Sequence, residues 1–294
     1  MLIFYLKNIL KITKIILIRI YNNYYLKKNI HWNIAFFRCA FDKINLKNIV
    51  VIKNPKSRWF ADPFFIKRNK KHYIFFEDYD IKKKIGAISC VELNKNNSIK
   101  FHKNIIKEKF HLSFPFLFKF NNELYLIPET RADKSIKLYK CTKFPNKWVF
   151  VKNLINDINC VDTIIFKHQK FWYLLTCMMS KKNIYNKLVG YYSKNPIGVK
   201  WNIIKKFPLV CEYNGGRNGG IIHDSLKNIY RVGQIQLPGR YGYGHTINRL
   251  IKISKDNYKE QCLKNQFNDL NNLGHVHTIN SKNNFTVIDF SVWK

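Results

Sequence analysis

Four acidic residues beside apolar segments, Asp62, Glu77, Glu129 and Asp162, are the strongest candidates for chemistry in this sequence. The chain has 294 residues but only 18 aspartates and glutamates, so carboxyl groups that recur at the ends of apolar runs are informative. Carboxyl groups that converge can act as general acid and general base on a glycosidic bond, or they can bind sugar hydroxyls. These residues therefore predict carbohydrate chemistry or carbohydrate binding, provided that the fold brings them together.

The elements that would position these carboxyl groups come from a sequence repeat with a period of about 50 residues, which is typical of a β-propeller. Each copy has an apolar strand, a polar turn and a second apolar strand, and one such unit cannot bury both its faces alone. The first two copies align without a gap, so that Glu77 matches Glu129. The copies begin at Ala61, Ser113, Val161 and Asn218, with a shorter fifth copy at His277.

This repeat predicts an all-β fold, a closed five-bladed β-propeller over residues 29–294. Val, Ile, Phe and Tyr dominate the apolar runs, which favours strands. Two further strand-like segments, residues 31–41 and 48–53, precede the first copy. We expect residues 31–41 to pair with the last copy near residues 285–290, because closing the ring with both termini removes a free sheet edge.

In a propeller, the start of each inner strand and the end of the second strand share one mouth of the central channel. Six acidic residues fall at such positions, and carboxyl groups that are close should repel one another, which raises the pKa of at least one. The polar residues predicted at this mouth are Asp62, Glu77, Asp78, Glu129, Asp162, Arg217, Asn218, Gln234, His277 and Asp289.

The predicted carboxyl groups also have purely structural alternatives. Asp62 and Asp162 stand where an aspartate can simply bond the amides of a turn, and Glu77 could balance a lysine. Glu129 follows a proline that interrupts strand pairing, which suggests a re-aimed side chain.

The candidates for catalysis are Asp62, Glu129 and Asp162, and those expected to bind substrate are Trp59, Glu77, Arg217, Asn218, Gln234 and His277. Arg217 beside Asn218 could hold a carboxylate or phosphate through two hydrogen bonds, and Trp59 could stack on a sugar ring. The alternative for Trp59 is a place in the core, and His277 and His245 could be packed histidines.

Composition narrows the classes of function. The net charge of +34 suggests nucleic-acid binding, but the lysines are scattered and no basic-aromatic recognition element stands out, so we favour a solvated surface. Attraction to an anionic lipid or glycan is the second interpretation. The sequence has no Gly-rich phosphate loop, GxSxG, HExxH or CxxC, so neither a cofactor nor a metal is predicted. Seven cysteines without a CxxC indicate a reducing cytoplasm and no disulfide framework.

Residues 1–28 predict a short basic amphipathic helix. Lys7, Lys11 and Lys14 fall on one helical face. The uncharged runs are far shorter than the roughly 20 residues of a membrane span, and no cleavage site of a signal peptide follows. We expect a cytoplasmic protein that attaches peripherally to the inner membrane face; the alternative is a helix packed on the outside of the propeller.

Several short strings resemble one particular family, the N-terminal domain of plant glucosamine inositolphosphorylceramide transferase and its stand-alone bacterial relatives. The strings are W-F-A-D-P-F at 59–64, F-F-E-D at 75–78, H-L-S-F-P-F at 111–116, I-P-E-T at 127–130 and V-D-T at 161–163. The resemblance covers roughly residues 31–294. It implies a role in surface polysaccharide or glycolipid biosynthesis, although the plant protein's transferase chemistry is assigned to a separate C-terminal domain.

That family is similar in turn to the five-bladed propellers of family-43 and family-32 glycoside hydrolases. The likeness implies that Asp62 is the base and that the acid is Asp162 or, from the adjoining strand, Glu129. The second-blade aspartate of the hydrolases has no counterpart, because Ser113 and Phe114 occupy its place. This departure disfavours ordinary hydrolysis and leaves sugar binding or transfer open.

Three hypotheses follow. The first is an enzyme of surface-glycan assembly, acting by glycosyl transfer or hydrolysis, with Arg217 as a clamp for an anionic group. The second is a non-catalytic module that binds a glycan or a lipid-linked sugar at the same mouth. The third is a scaffold that gathers polysaccharide-assembly enzymes.

Overall fold

The computed structural model describes residues 30–94, 98–179, 186–198, 200–212, 214–237, 240–263, 273 and 275–293, together with positions 13 and 17. Apart from those two positions, the helix predicted for residues 1–28 lies outside the described residues and stays a prediction. None of the helical segments in the described part of the chain is long and apolar enough to cross a membrane.

The described residues form β-strands with short connections. Three 3-10 helices lie at Phe41–Lys43, Leu46–Asn48 and Arg131–Asp133. The strands are β1 (Ile30–Phe37), β2 (Val50–Ile52), β3 (Arg58–Arg68), β4 (Lys71–Asp80), β5 (Ile85–Leu93), β6 (Ile99–Ile106), β7 (Ser113–Phe120), β8 (Glu123–Glu129), β9 (Ile136–Lys143), β10 (Lys147–Ile155), β11 (Cys160–His168), β12 (Phe171–Met178), β13 (Asn186–Ser193), β14 (Asn202–Ile203), β15 (Val210–Glu212), β16 (Asn214–His223), β17 (Ile229–Leu237), β18 (Arg240–Ile253), β19 (Tyr258–Cys262), β20 (Ile279–Lys282) and β21 (Phe285–Trp293).

These strands build an all-β fold of four sheets within the described residues. Three sheets come from one continuous segment each: β3-β4-β5-β6, β7-β8-β9-β10, and β11-β12-β13-β14 with β15 beside β13. The fourth has eight strands in the order β19-β18-β17-β16-β20-β21-β1-β2. Its two four-stranded halves are joined by one parallel bridge between Ile222 and Ser281.

The N-terminal strand closes the last sheet. β1 pairs antiparallel with β21 along its whole length, from Ile30 opposite Trp293 to Phe37 opposite Thr286, which confirms the predicted pairing of the two chain ends. The five strands that follow the repeat also contact one another in a cycle: β3 with β7, β7 with β11, β11 with β16, β16 with β20, and β20 with β3. These five strands therefore surround one axis.

Aromatic side chains fill the space between neighbouring sheets. Phe64 of β3 meets Phe114 and Phe116 of β7 edge-on, with ring centroids 4.8 and 5.4 Å apart. Phe65 of β3 meets Phe285 of β21 edge-on, with ring centroids 4.9 Å apart. Burial of each such ring stabilises the fold by roughly 1.5–3 kcal/mol, and these contacts hold the inner strands in place around the axis.

A shared bulge shapes the starts of three inner strands. The register between β3 and β4, β7 and β8, and β11 and β12 shifts at the same point of each repeat. The residues at this point, Asp62, Phe114 and Asp162, have φ of 51°, 45° and 55°, a left-handed conformation that non-glycine residues seldom adopt. Pro63 and Pro115 follow two of them and have no N–H for the ladder, so pairing is interrupted there. The bulge re-aims the side chain of the residue that it contains.

Two features of the outer strands are not marked by the repeat. The edge of the third sheet is divided into β14 and β15, which both pair with β13, and Pro208 between them lacks the N–H that continuous pairing would need. β19 was not predicted, because its residues are mostly exposed and polar and show no strong alternation.

Candidate functional site

The structure brings Asp62, Glu77, Glu129 and Asp162 together around the starts of the inner strands. Asp62, Glu77 and Asp162 expose only 3%, 7% and 1% of their surface, and Glu129 is partly exposed. Asp62 interacts electrostatically with Glu77, Glu129 and Asp162, and Glu129 also interacts with Glu77 and Asp162. The four carboxyl groups thus form one cluster built from three repeats.

Asp62 receives hydrogen bonds from two neighbouring repeats. Its Oδ1 accepts a hydrogen bond from the Thr278 hydroxyl at 2.9 Å and lies 3.4 Å from Nε2 of His277. Its Oδ2 accepts one from the backbone N–H of Phe114 at 3.3 Å. Phe114, which replaces the aspartate expected from the hydrolases, therefore contributes its backbone instead of a carboxylate.

Asp289 positions His277 against Asp62. Oδ1 of Asp289 accepts hydrogen bonds from the backbone N–H groups of His277 and Thr278 at 3.1 and 2.8 Å, and it lies 2.9 Å from Nδ1 of His277. Oδ2 accepts one from the N–H of Asp62 at 3.0 Å. Burial lowers the pKa of His277, but Asp289 and Asp62 outweigh burial, so this pKa lies above its usual range. The imidazole is therefore held between two carboxyl groups.

The pKa of Asp62 is raised to about 6. Burial is the main cause, and the charges of Asp289 and Asp162 add to it, while His277 and the Thr278 hydroxyl act in the opposite direction. A carboxyl group with this pKa is mostly ionised at neutral pH but is a stronger base than an ordinary aspartate, which suits a general base.

The pKa of Glu129 is raised further, to about 8. Burial is again the main cause, followed by the charge of Asp162, while Arg217 lowers this pKa. Glu129 is also hydrogen-bonded to Asp162. Glu129 is therefore largely protonated at neutral pH, and a protonated carboxyl group beside an ionisable one is the arrangement that general acid catalysis needs.

Arg217 binds Asp162. Its guanidinium donates through Nε to Oδ2 of Asp162 and through a terminal nitrogen to Oδ1 at 3.0 Å. Gln234 also donates to Oδ2, at 3.2 Å. The side chain that the sequence suggested as a clamp for a substrate anion therefore neutralises a carboxylate of the cluster.

Asn218 and Gln234 support the bulge around Asp162. The Asn218 amide donates to the backbone carbonyls of Asp162 and Leu175 at 2.7 and 3.1 Å, and Gln234 donates to the carbonyl of Asn218 at 2.7 Å. Both side chains are fully buried. Within the described part of the chain, the Gln234 Oε1 atom is buried without a hydrogen-bond partner.

Glu77 lies between Trp59 and His111. Trp59 is hydrogen-bonded to Glu77 and stacks on Tyr79 with ring centroids 4.3 Å apart. The Gly86 N–H donates to Nδ1 of His111 at 2.9 Å, so Nε2 carries the hydrogen and faces Glu77 at 3.5 Å. Burial, with the charges of Asp62 and Glu129, raises the pKa of Glu77 well above its usual range.

Asp78, which was predicted at the mouth, and His245 lie outside the cluster of carboxyl groups. Asp78 binds Arg58 and accepts a hydrogen bond from Ser89 at 2.8 Å, because neighbouring residues of a strand face opposite sides and Glu77 already faces the cluster. Nδ1 of His245 lies 3.1 Å from the carbonyl of Val276; burial lowers its pKa, as expected for a packed histidine.

Sequence reasoning missed several groups that contact the cluster: Thr278, His111, Tyr79 and the backbone of Phe114. His111 lies in the H-L-S-F-P-F string and Thr278 follows His277 at the start of the fifth copy, so the repeat carried a signal for both. The Phe114 N–H could not be predicted from the sequence, because every residue except proline has a backbone N–H and the residue type does not show which one is a donor to the site.

Asp62, His277 and Asp289 are also the residues that could hold a metal. Each offers one ligand atom, and these atoms lie within 4.8 Å of one another. However, both oxygens of both carboxyl groups already accept hydrogen bonds, so a cation would have to displace them. We interpret the trio as a hydrogen-bonded chain that positions Asp62.

Sequence comparison identifies relatives for most of the chain. Residues 43–282 match the family described as glucosamine inositolphosphorylceramide transferase 1, N-terminal. The chain is 32% identical over 209 residues to glucosamine inositolphosphorylceramide transferase 1 of Oryza sativa subsp. japonica, and 32% identical over 218 residues to that of Arabidopsis thaliana. Each match covers 69% of this chain but only 28% and 27% of the relatives, so the chain corresponds to little more than a quarter of their length.

Solved structures with the same fold are glycoside hydrolase propellers. A family 117 glycoside hydrolase from Zobellia galactanivorans superposes with a TM-score of 0.55 and 12% identity, covering 79% of this chain and 75% of that one. A thermostable family-43 glycoside hydrolase gives 0.53 and 13%, covering 69% and 74%. At these identities the likeness shows that the fold is a β-propeller and no more.

Proposed function

Because this chain belongs to the family of glucosamine inositolphosphorylceramide transferase N-terminal domains, we propose that it is a carbohydrate-active propeller of surface polysaccharide or glycolipid biosynthesis. The observation that carries the proposal is the pairing, in one cluster, of Asp62 with a pKa of about 6 and Glu129 with a pKa of about 8. Two carboxyl groups whose environments separate their pKa values are the usual basis for assigning a base and an acid.

In this proposal Glu129 is the acid and Asp62 is the base. Protonated Glu129 would give its proton to the oxygen that leaves the sugar, and ionised Asp62 would take a proton from the attacking hydroxyl or water. We assign the acid to Glu129 rather than Asp162 because Arg217 holds both oxygens of Asp162. Asp162 would then position Glu129, through their hydrogen bond.

The other predicted residues bind or position substrate. Glu77, with its raised pKa, would donate a hydrogen bond to a sugar hydroxyl, and the partly exposed Trp59 beside it would pack against the ring. Arg217, Gln234 and His277 would act through the carboxyl groups that they contact, and Asn218 would act through the backbone of Asp162. The substrate class is a glycan or a lipid-linked sugar.

We also infer that the propeller has five blades. The support is the cycle of contacts among β3, β7, β11, β16 and β20. The single bridge between the halves of the eight-stranded sheet fits two blades that touch, rather than one continuous blade. The fifth blade would then consist of β20 and β21, completed by β1 and β2.

For the place of action we propose the cytoplasmic face of the inner membrane. The support is the sequence of residues 1–28, which alternates apolar residues with Lys7, Lys11, Lys14 and Arg19. Such a helix would bring the carboxylate mouth to lipid-linked substrates.

The proposed acid/base chemistry is tested by product formation. Purified protein is incubated with lipid-linked and free oligosaccharides, and products are followed by mass spectrometry. Asp62→Asn and Glu129→Gln should each lower product formation by at least about a hundredfold. Thermal unfolding of both variants should stay cooperative, which shows that they are folded. Asp256→Asn is the matched control, since Asp256 is exposed and forms a surface ion pair with Lys205. Unchanged turnover in both amide variants would refute the assignment.

A non-catalytic glycan-binding module is the second candidate. The specific observation in its favour is that Phe114 occupies the place of the second-blade aspartate of the hydrolases and supplies only a backbone N–H. In this case no product forms with any substrate, and the two amide variants change saccharide affinity alone, as calorimetry would show.

A further inference from the structure

A second cavity lies at the opposite mouth of the channel from the carboxyl groups. Its volume is about 520 Å³ and it is lined by the far ends of the inner strands, including Lys67, Lys119, Lys167 and Lys282. Lys67 follows Asp62 by five residues in β3, so the two mouths are roughly 17 Å apart along an extended strand. This cavity is therefore separate from the candidate site described above.

A lysine or histidine lies at or next to the end of each inner strand at this mouth. These residues are Lys67, Lys119, Lys167, His223 and Lys282. All five line the cavity, and among the residues that the structure describes no aspartate or glutamate lines it. Lysine is common throughout this chain, but four lysines at the ends of four different inner strands concentrate positive charge around one opening.

The four lysines are free to bind a ligand. Each is exposed, and within the described residues none of their ammonium groups forms an ion pair. Two histidines at this mouth have pKa values lowered to about 4, mainly by burial. After burial, Arg38 and Lys67 add to the lowering of the pKa of His72, and Lys282 adds to that of His223, where Asp224 acts in the opposite direction.

Apolar and aromatic side chains line the rest of the cavity. Phe65, Phe118, Phe166 and Trp172 belong to its walls, and the rings of Phe118 and Trp172 are 5.7 Å apart. The volume lies within the range of small-molecule sites, roughly 300–1,000 Å³. An inorganic ion alone would leave these walls without a partner.

We propose that this cavity binds a small organic anion that carries two or more phosphate groups. Several lysines around one opening match several negative charges, because each ammonium acts as a mobile point charge with three donors. The aromatic walls take up the organic part. A neutral saccharide, the expected ligand of the other mouth, would leave the four ammonium groups unpaired.

The proposal is tested by calorimetry with adenosine diphosphate as the probe, at about 0.15 M salt to limit diffuse attraction. Adenosine, inorganic diphosphate and inorganic phosphate are the comparison probes. We expect one adenosine diphosphate per chain, weaker binding of inorganic diphosphate, and no binding of adenosine or phosphate. Trp172 fluorescence should change on binding, and Trp172→Phe should remove that change.

Matched double variants separate the cavity from the overall charge of the chain. Lys119→Gln with Lys167→Gln should weaken binding of adenosine diphosphate by at least about tenfold. Lys194→Gln with Lys252→Gln removes the same charge from exposed lysines that do not line the cavity, and should change affinity less than about twofold. Equal weakening by both pairs, or no one-to-one binding by the wild type, would overturn the proposal. Retention on vesicles with phosphorylated headgroups, without binding of either soluble diphosphate, would also overturn it.

Discussion

At the scale of single residues, the site contains two features that destabilise the folded chain: a strained backbone and buried carboxyl groups. Asp62 and Asp162 hold a left-handed backbone conformation, which costs of order 1–3 kcal/mol at a non-glycine residue. Burial also keeps the pKa values of Asp62, Glu77 and Glu129 high. Strained residues and shifted carboxyl groups that coincide are typical of functional sites.

Replacing Glu129 should stabilise the protein at high pH. Below about pH 4 this group is protonated in both the folded and the unfolded chain, so Glu129→Gln should match the wild type. As the pH rises, the unfolded chain releases the proton while the folded state retains it up to its pKa of about 8; wild-type stability therefore falls across this window. At pH 9 the variant should melt several degrees higher, by differential scanning calorimetry.

The control for this measurement is Glu123→Gln, which changes an exposed glutamate paired with Lys140. It should track the wild type across the whole pH range. Parallel melting curves of wild type and Glu129→Gln at pH 4 and pH 9 would contradict the raised pKa.

Breaking the buried ion pair between Arg217 and Asp162 should be costly. Arg217→Met leaves an uncompensated carboxylate at a site with 1% exposure, and we expect a loss of about 3–5 kcal/mol in the free energy of unfolding in urea. Adding Asp162→Asn removes the stranded charge and should recover part of this loss. If the double variant is less stable than Arg217→Met, the pair does not act through charge.

At the scale of elements, β1 is the strand that completes the fold. Seven of its eight residues are buried, and it covers the edge of β21. Trp32 on this strand packs on His277 with ring centroids 4.2 Å apart, so β1 also supports the chain of groups that positions Asp62. The first strand of the described structure is therefore coupled to the candidate site.

Two truncations test this coupling. Deleting residues 1–28 should leave a soluble protein with an unchanged melting temperature, because β1 remains. Deleting residues 1–53 removes β1 and β2, exposes the edge of β21 and uncovers the apolar side chains of Phe285 and Val287, which share a core cluster with Ile34 and Phe36, so we expect aggregation or loss of cooperative unfolding. The role of β1 would be contradicted if the longer deletion gave a protein that is monomeric in gel filtration and unfolds cooperatively on heating.

The elements also show what the sequence could and could not predict. The repeat predicted the paired strands and the β1–β21 closure, because alternating apolar runs and a fixed period depend on local pattern. The repeat did not predict the bulge at Asp62, Phe114 and Asp162. Pro63 and Pro115, which interrupt strand pairing in two of these bulges, were the only local signal that we can identify for it. The partners of Arg217 were equally hidden, since its ion pair with Asp162 joins residues far apart in the sequence.

At the scale of the whole molecule, the opposite ends of the channel differ in charge. Carboxyl groups gather at one mouth, and lysines surround the other. A chain with a net charge of +34 would also attract anions diffusely over its surface. Binding to an anionic membrane could therefore come from residues 1–28 or from the positive surface of the propeller, and experiment can distinguish the two.

Residues 1–28 should carry the membrane binding that we propose. They contain six lysines and arginines and no acid, so their deletion leaves most of the positive charge in place. In co-sedimentation at about 0.15 M salt, the full chain should pellet with anionic vesicles and not with neutral ones, and the chain lacking residues 1–28 should stay in solution. Equal pelleting of both chains would attribute binding to the diffuse charge of the propeller.

The most direct test of the account is a crystal structure of Glu129→Gln with a saccharide selected on a glycan array. This substitution keeps the shape of the site and removes the proposed acid, so that a bound sugar persists. We predict the sugar at the carboxylate mouth, with a hydroxyl or the glycosidic oxygen within about 3 Å of Asp62 and of the new amide. A saccharide bound on the outer strands or at the lysine mouth, with the carboxyl cluster untouched, would contradict the central claim.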